Sequence, residues 1–320
     1  MTNIQVKKRD GVTEPLDLEK MHKVVFFATE NITGVSASEV EIKSHLSFFT
    51  GITSTEIQET LIKSAADLIS EETPNYQWVA GRLINYHLRK TVYGQYEPLP
   101  LLQVIKDNIE RRAYDSAILE SYTETEINEL DSYINHSRDE VQTYAAMEQW
   151  RGKYLVQNRV TGEIFETPQV AYMMISATLF AEYPAETRLQ YVKDYYDAIS
   201  TFDVSLPTPV MAGVRTPQRQ FSSCVLIETD DSLDSINATT SSIVKYVSQK
   251  AGIGIGAGSI RALGSPIRSG DAYHTGVVPF YKMFQAATRS CSQGGVRNGA
   301  ATLYYPVWHY EVEDLLVLKN

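Results

Sequence analysis

Cysteine is scarce in this chain: Cys224 and Cys291 are the two among 320 residues, and they lie far apart. Two thiols exclude a disulfide scaffold and a zinc site built from cysteine alone, while leaving room for functional thiols. Long hydrophobic runs are lacking as well. No apolar stretch approaches the roughly 18 residues of a membrane span. Lys7, Lys8 and Arg9 run into Asp10 rather than into the apolar stretch of a signal peptide. The expected location is the cytoplasm, with no membrane partner. Positive charge is also in deficit, because 29 Lys and Arg against 39 Asp and Glu give 29 − 39 = −10. Such a chain offers no global field to a DNA or RNA backbone, so no nucleic-acid partner is expected. Small anions are still admissible, since a few local cations and a helix N-terminus suffice to hold them.

What is present is ordinary for a globular protein, 43% hydrophobic and 21% charged residues, over a length that allows two or three domains. Asn3–Arg9 alternates weakly into an Asp10-Gly11 turn signal and then Val12–Leu16, a hairpin. Asp17 caps a helix to about Glu30 with Leu18, Met21, Val25 and Phe26 on one side. Thr53 and Glu56 have capping-box spacing before the stripe Ile57, Leu61, Ala65 and Leu68. Pro74 opens a helix carrying Val79, Leu83 and Tyr86 that stops at Gly94. Residues 1–95 thus read as one unit, a hairpin with a helical bundle. Residues 96–205 read as mostly helical, with Pro168–Ala181 and Glu186–Ser200 clearest and a small hairpin at Thr161-Gly162. Pro207 and Pro209 mark a break.

After the break the pattern becomes strand, helix, strand, helix, which implies an α/β sheet or barrel over 206–320. Cys224–Ile227 is a short continuous apolar run, suiting a strand buried on both faces. Asp231 and Asp234 sit at the N-cap and third position of a helix whose inner face carries Leu233, Ile236, Ile243 and Val247. Gly252–Gly258 nearly matches a dinucleotide fingerprint, but a helix precedes it, so it reads as a place of close approach rather than a Rossmann turn. A helix around Phe280, Phe284 and Ala287, a Gly-rich loop and a strand at Thr302–Tyr305 follow. The strands are too few to close a barrel.

Several groups of residues have the chemistry of a site. Lys7, Lys8, Arg9, Glu14, Asp17 and Lys20 cluster on a hairpin beside a helix N-terminus, and Lys90 adds a later cation. Such a cluster can neutralise a triphosphate, although the residues by themselves favour a solvated basic strand and a capped helix. Arg261 and Arg268 flank a Pro- and Gly-containing loop, with Asp231 at a helix start; arginine suits phosphate oxygens and a carboxylate suits ribose hydroxyls. A free cysteine is most often a small buried apolar residue, and that is the simpler reading of both Cys224 and Cys291. The twenty scattered tyrosines read as packing.

Longer strings carry a resemblance. Lys153-Tyr154-Leu155-Val156, Ser205–Pro209, Arg219–Cys224, Gly264–Arg268, His274-Thr275-Gly276, Ser292–Arg297 and the final Leu315–Asn320 occur in the order found in the large subunit of class I ribonucleotide reductases. The chain resembles the N-terminal part of that family over essentially its whole length. The fold implied is α/β with a largely helical N-terminal region: an ATP cone (1–95), a helical domain (96–205) and the first part of a ten-stranded α/β barrel (206–320), incomplete in this chain.

The resemblance implies that Lys8, Glu14, Lys20, Ser54, His87 and Lys90 belong to an ATP or dATP site in the cone. Gln58 stands where many relatives with a working activity switch carry histidine, a departure that bears on dATP inhibition and not on the fold. Asp231, Ser232, Leu233, Arg261 and Arg268 would bind a specificity effector, a deoxynucleoside triphosphate or ATP. The loop Ser292, Gln293, Gly294, Gly295, Val296, Arg297 and Asn298 would transmit effector identity to the substrate, with Asn298 replacing a glycine and narrowing the loop's freedom. Thr208, Ser223 and Gly252 would contact the diphosphate or ribose of the substrate. Cys224 matches one of the cysteine pair that reduces the 2′ carbon: a thiyl radical takes the 3′ hydrogen, the 2′ hydroxyl leaves as water, and the pair becomes a disulfide. Thioredoxin- or glutaredoxin-type reductants would then restore the pair by exchange.

No Asn-x-Cys-x-Glu stretch occurs in these residues, so the radical cysteine and its glutamate are not among them. The expectation is that a second polypeptide completes the large subunit, that the isolated chain is inactive, and that a small subunit supplies a di-iron tyrosyl radical. No covalently bound cofactor and no metal site are expected here. A homodimer contact is expected through the helix after Asp231. Two alternatives stay open, a non-catalytic nucleotide-binding regulatory module and an inactive truncation.

Overall fold

The computed structural model describes residues 4–9, 11–45, 47–293 and 297–318, the side chains of 292, 293, 297 and 298 excepted. The chain forms two compact units, Met1–Gln218 and Arg219–Asn320.

The first unit begins with the hairpin read from the sequence. Strands β1 (Gln5–Lys7) and β2 (Thr13–Pro15) pair antiparallel, closed by Lys8 N to Val12 O at 2.8 Å. A third short strand, β3 (Ile52–Thr53), which no pattern announced, adds parallel to β1. Asp17 caps α1 (Leu18–Thr29) by accepting from the N–H groups of Glu19 and Lys20. The buried stripe of α1 is Met21, Val24, Val25 and Ala28; Leu18 and Phe26, expected on that side, are exposed. The i, i+3, i+4, i+7 spacing from Met21 includes Val24 and excludes Phe26. A second helix, α2 (Ala37–His45), has weak amphipathy and left no clear sequence signal. The capping box is realised at α3 (Ser54–Ala66), where Thr53 and Glu56 exchange hydrogen bonds. Ile57, Leu61 and Ala65 are buried on α3, while Leu68 falls beyond its end. Asn75 precedes α4 (Tyr76–Tyr93), which ends on Gly94 at φ +71.

Among the described residues seven further α-helices follow in this unit, α5 (Leu101–Glu110), α6 (Ala117–Ser121), α7 (Glu124–Tyr133), α8 (Tyr144–Gln149), α9 (Pro168–Leu179), α10 (Ala185–Ser200) and α11 (Thr208–Gly213), with a 3-10 turn at His136–Val141 and a π-helical turn at Trp150–Tyr154. The Thr161-Gly162 turn is present, bridged by Gln157 and Ile164. Pro207 and Pro209 open α11 rather than merely breaking the chain, because the fixed φ of proline suits a first helical turn.

Two buried polar groups organise this unit, and neither stood out in the sequence. Arg215 and Glu166 form a fully buried ion pair. Tyr114 also donates to Glu166, and Arg215 reaches the carbonyls of Met211 (2.7 Å) and Tyr154 (3.0 Å). The pair therefore ties the end of α11 to the segment before the 157–164 hairpin. Asp139 is likewise buried, accepting from Gln169 (2.8 Å) and Gln142 (3.3 Å), and burial pushes its carboxyl up to about 7.

The second unit is a three-stranded parallel sheet in the order β10-β5-β4. Strand β4 (Cys224–Glu228) is followed by α12 (Leu233–Ser248) and then β5 (Gly252–Gly256). Next come a hairpin of β6 (Pro266–Ile267) and β7 (Ala272–Tyr273), then α13 (Val278–Arg289). Strands β8 (Ser292–Gln293) and β9 (Arg297–Asn298) pair antiparallel, and β10 (Ala301–Tyr304) leads to α14 (Val312–Leu316). The core is one-sided: Ile236, Ile243, Val247, Ile253, Ile255, Tyr281 and Phe284 pack together, with Val225 and Ile227 against them.

Three expectations are corrected here. Strand β4 is not buried on both faces: Cys224, Leu226 and Glu228 are exposed on one side, Leu226 at 79%. An apolar run cannot reveal which of its faces a helix covers, and here only the Val225 and Ile227 side is covered. The run at Gly252–Gly256, read from the sequence as a place of close approach, is the central strand, with glycines 252, 254 and 256 in register beside Cys224, Leu226 and Glu228. A Cβ at Gly254 or Gly256 would strike the Leu226 or Glu228 side chain, so the glycines make room for the residues of β4. The cap of α12 is Ser232, which accepts from Ser235 N at 3.2 Å, not Asp231. Leu233 is exposed at 68%, and Ile236, Thr239, Ile243 and Val247 form the inner face instead.

Two stability outcomes follow. Arg215→Met strands a buried carboxylate and is expected to cost about 3–5 kcal/mol in denaturant unfolding of the first unit; a change within 1 kcal/mol, on the order of a surface substitution, contradicts the assigned burial. An acid whose pKa is raised on folding loses stability as pH climbs from its unfolded value near 4 towards about 7. Asp139→Asn keeps the acceptor oxygen, so denaturation across that range should lose this decline, leaving the variant more stable than the parent at pH 8.

Candidate functional site

The first candidate site lies between the β1–β2 hairpin, α1, α3 and α4, in a cavity of about 660 Å³. Lys8, Glu14, Lys20, Ser54 and Lys90, all singled out from the sequence, line it. Arg9, Lys23 and Gln58 line it too. Five cations (Lys8, Arg9, Lys20, Lys23, Lys90) face two acids (Glu14, Asp17), a local excess of 5 − 2 = +3 in a chain of net −10. The two acids orient the cations rather than cancel them. Glu14 lies 3.1 Å from Lys8 Nζ and 3.9 Å from Lys20 Nζ, and Asp17 lies 3.4 Å from Lys20 Nζ.

His87 is not at the cavity wall. It stands behind, with Nδ1 at 3.5 Å from Arg9 and Nε2 at 3.6 Å from Glu59. Burial, opposed by Glu59 and reinforced by Arg9 and Arg151, holds its pKa below the ordinary histidine range, which favours the neutral ring. Arg9 is fixed by its bond to Lys90 O at 2.7 Å. Gln58 Oε1 is buried without a hydrogen-bond partner among the described residues. The arrangement suits a polyanion with a donor-bearing base or sugar.

The second candidate site is built on β6, β7 and the start of α12. Arg261 donates from its backbone N to Asp231 Oδ1 (3.0 Å) and from Nε to Asp231 Oδ2 (2.6 Å), and its Nη1 reaches Pro266 O (2.9 Å). Asp231, expected as a helix cap, is therefore the anchor of Arg261. Arg268 is exposed at the tip of the β6–β7 hairpin, where Arg268 and Ser269 have φ of +46° and +58°. Left-handed backbone at two non-glycine residues costs energy and must be held by its surroundings. Ser232 and Leu233 are exposed beside Asp231. Outward on α12, Leu233, Asn237, Ala238 and Ser241 present a face that no described residue of this unit buries.

The third candidate site is the exposed face of the sheet. Cys224 is a free, exposed thiol, which overturns the buried reading. Parallel register sets it beside Gly252, whose N–H donates to Ser223 O at 2.8 Å. Ser223, Cys224 and Gly252 are thus adjacent. Thr208 stands at the start of α11 in the other unit. Cys291 is half-buried against the inner core, as a structural cysteine should be. Of the loop that follows it, residues 294–296 lie outside the described residues; the backbone on either side forms the β8–β9 pair. Among the described residues no group of three or more His, Cys, Asp or Glu is placed to hold a metal ion, and no helix is long and apolar enough to cross a membrane.

Three family models match this chain. The ATP cone domain matches residues 4–91, the ribonucleotide reductase all-alpha domain matches 140–219, and the ribonucleotide reductase barrel domain matches 222–320. Ribonucleoside-diphosphate reductase 1 subunit alpha of Escherichia coli (strain K12) is 62% identical over 318 residues, and the corresponding subunit of Haemophilus influenzae is 60% identical. The subunit of Enterobacteria phage T4 is 51% identical over 322 aligned positions. The alignments cover 99% or more of this chain and 42% of each of these relatives. The chain belongs to the class I ribonucleotide reductase large-subunit family, of which it carries the N-terminal part: the ATP cone, the all-alpha domain and the start of the barrel.

Proposed function

We propose that this chain supplies the regulatory sites and one of the two reducing thiols of a ribonucleoside-diphosphate reductase. Residues 1–95 act as the nucleotide-sensing cone, 96–205 as the helical domain, and 206–320 as the effector-binding and thiol-bearing start of the barrel. The single observation that carries the catalytic part is Cys224, exposed on the open face of β4 beside Gly252. On that face a substrate ribose can approach the sulfur, and Ser223 and Gly252 are the groups that would contact its diphosphate or hydroxyls.

The step needs two electrons. Cys224 and a partner cysteine outside these residues each give up one electron and one proton: the 2′ C–O bond breaks, one proton leaves with the hydroxyl as water, the other becomes the hydrogen of the new 2′ C–H bond, and the two sulfurs join as a disulfide. A thioredoxin- or glutaredoxin-type reductant then exchanges with that disulfide. The radical that initiates the reaction would come from a separate small subunit carrying a di-iron tyrosyl centre. Arg261, held by Asp231, and Arg268 would hold the triphosphate of the specificity effector, with Ser232 and Leu233 beside its base or sugar. The outer face of α12 would pair with its twin in a homodimer. Residues Ser292–Asn298 would carry the effector's identity to the substrate. ATP or dATP would occupy the cone cavity.

Two measurements check this reading. In the assembled enzyme, Cys224→Ser should abolish multiple-turnover reduction of CDP and leave nucleotide binding intact; undiminished turnover would contradict the assignment. Lys90→Ala removes one charge-assisted contact and should weaken ATP binding to the cone on the order of tenfold, read by calorimetry, with the loss shrinking as salt is raised.

A further inference from the structure

The hairpin that carries Arg268 is tied down by a residue that takes no part in any of the sites above. Glu311 follows β10, is 8% exposed, and points its carboxylate at two backbone N–H groups on opposite sides of the hairpin. Oε2 accepts from Leu263 N at 2.9 Å and from Val277 N at 3.1 Å, and Oε1 accepts from Val277 N at 3.3 Å. Residues 263 and 277 are the two ends of the segment that contains β6, the Arg268 turn and β7. One oxygen therefore bridges the two ends of the loop, below the backbone bonds from Gly264 N to His274 O (2.9 Å) and from His274 N to Ser265 O (2.8 Å) that join its arms.

A second contact works alongside it. Glu311 N donates to His309 Nδ1 at 3.2 Å, which assigns the proton to Nε2, and Nε2 then donates to Ile260 O at 3.1 Å. Ile260 and Leu263 bracket Arg261, so its backbone is held on both sides by the segment 309–311. A buried carboxylate is costly unless its oxygens are satisfied. Here backbone N–H groups satisfy them, and Val277 is the cap of α13, so the charge also meets the positive end of a helix dipole. Gly276, at φ +91, is part of the fit: a Cβ there would collide with the Glu311 carboxylate.

We infer that Glu311 is a positioning residue of the effector site, fixing the base of the 263–277 hairpin so that Arg261 and Arg268 face one triphosphate. The inference rests on the reading of Asp231, Arg261 and Arg268 as that site. Its strained turn at Arg268 and Ser269 is held from below by the same clamp.

The test is equilibrium binding of dTTP to the full chain in its assembled subunit, with amide hydrogen exchange locating the protected residues. Glu311→Asp keeps the charge but is too short to bridge both N–H groups, and should weaken dTTP binding on the order of tenfold. Gly276→Ala displaces the carboxylate without altering it and should do the same. Glu311→Gln keeps a bridging oxygen and should stay within about threefold of the parent. A merely structural role would lower the melting temperature while leaving the affinity of the folded protein unchanged. Parent-like dTTP affinity in both Glu311→Asp and Gly276→Ala, with Arg261→Ala impaired, overturns the inference alone. Parent-like affinity in Arg261→Ala, with no dTTP protection over 260–277, overturns the effector-site reading and the inference with it. If Glu311→Asp does not fold, Gly276→Ala and Glu311→Gln decide the matter between them.

Discussion

The parallel register of β4 on β5 is the constraint on which the functional half of this molecule depends. Pairing Cys224 with Gly252, Leu226 with Gly254 and Glu228 with Gly256 sends the thiol to one face and Val225 and Ile227 to the helix-covered core. A slip of one residue would reverse both assignments, burying the sulfur and exposing the isoleucine. The glycines hold that register from the other side, since any side chain at 254 or 256 would collide with its neighbour on β4. Beyond β4 the chain enters α12 through Asp231 and Ser232, so one register sets both the thiol and the anchor of Arg261.

One arrangement recurs away from the sheet: acids serve as struts for cations. Glu14 and Asp17 orient Lys8 and Lys20, Asp231 orients Arg261, and Glu166 orients Arg215. These pairs differ in what they contribute. The Lys8 and Lys20 pairs are partly exposed and add little to stability, but they leave cationic hydrogens pointing into the cavity. The Arg215 pair is fully buried, where specificity of packing and the penalty of losing one partner matter more than net attraction. Glu311 is a further variant, an acid whose hydrogen-bonded partners are backbone N–H groups around the loop it secures.

Much of the fold was legible because local physics agreed with tertiary structure. Asp10-Gly11, Asp17, the Thr53 and Glu56 box, and Gly94 mark turns and helix ends that the structure contains, apart from Asp10, which lies outside the described residues. What was illegible depends on partners distant in sequence. Glycine has no strand preference, so Gly252–Gly256 could not announce itself as a central strand; its role follows from the neighbours it accommodates. The apolar run at 224–228 is silent on which face is covered. Ser232 took the cap from Asp231 because Arg261, thirty residues on, engages the aspartate. Arg215, Glu166 and Glu311 carry no motif, and a buried carboxylate answered by backbone amides leaves no spacing to detect. Of the cone cavity, Lys8, Glu14, Lys20 and Lys90 stood out as a charge cluster and Ser54 by resemblance, while Lys23 and the placement of His87 behind the wall required coordinates.

The central claim is that Cys224 is a reducing thiol. The most direct measurement is a single turnover of CDP by the assembled, pre-reduced enzyme without external reductant, followed by alkylation and peptide mapping. The account predicts that Cys224 becomes protected as a disulfide in proportion to the dCDP formed, while Cys291 stays alkylatable. Formation of dCDP with Cys224 still a free thiol would contradict it.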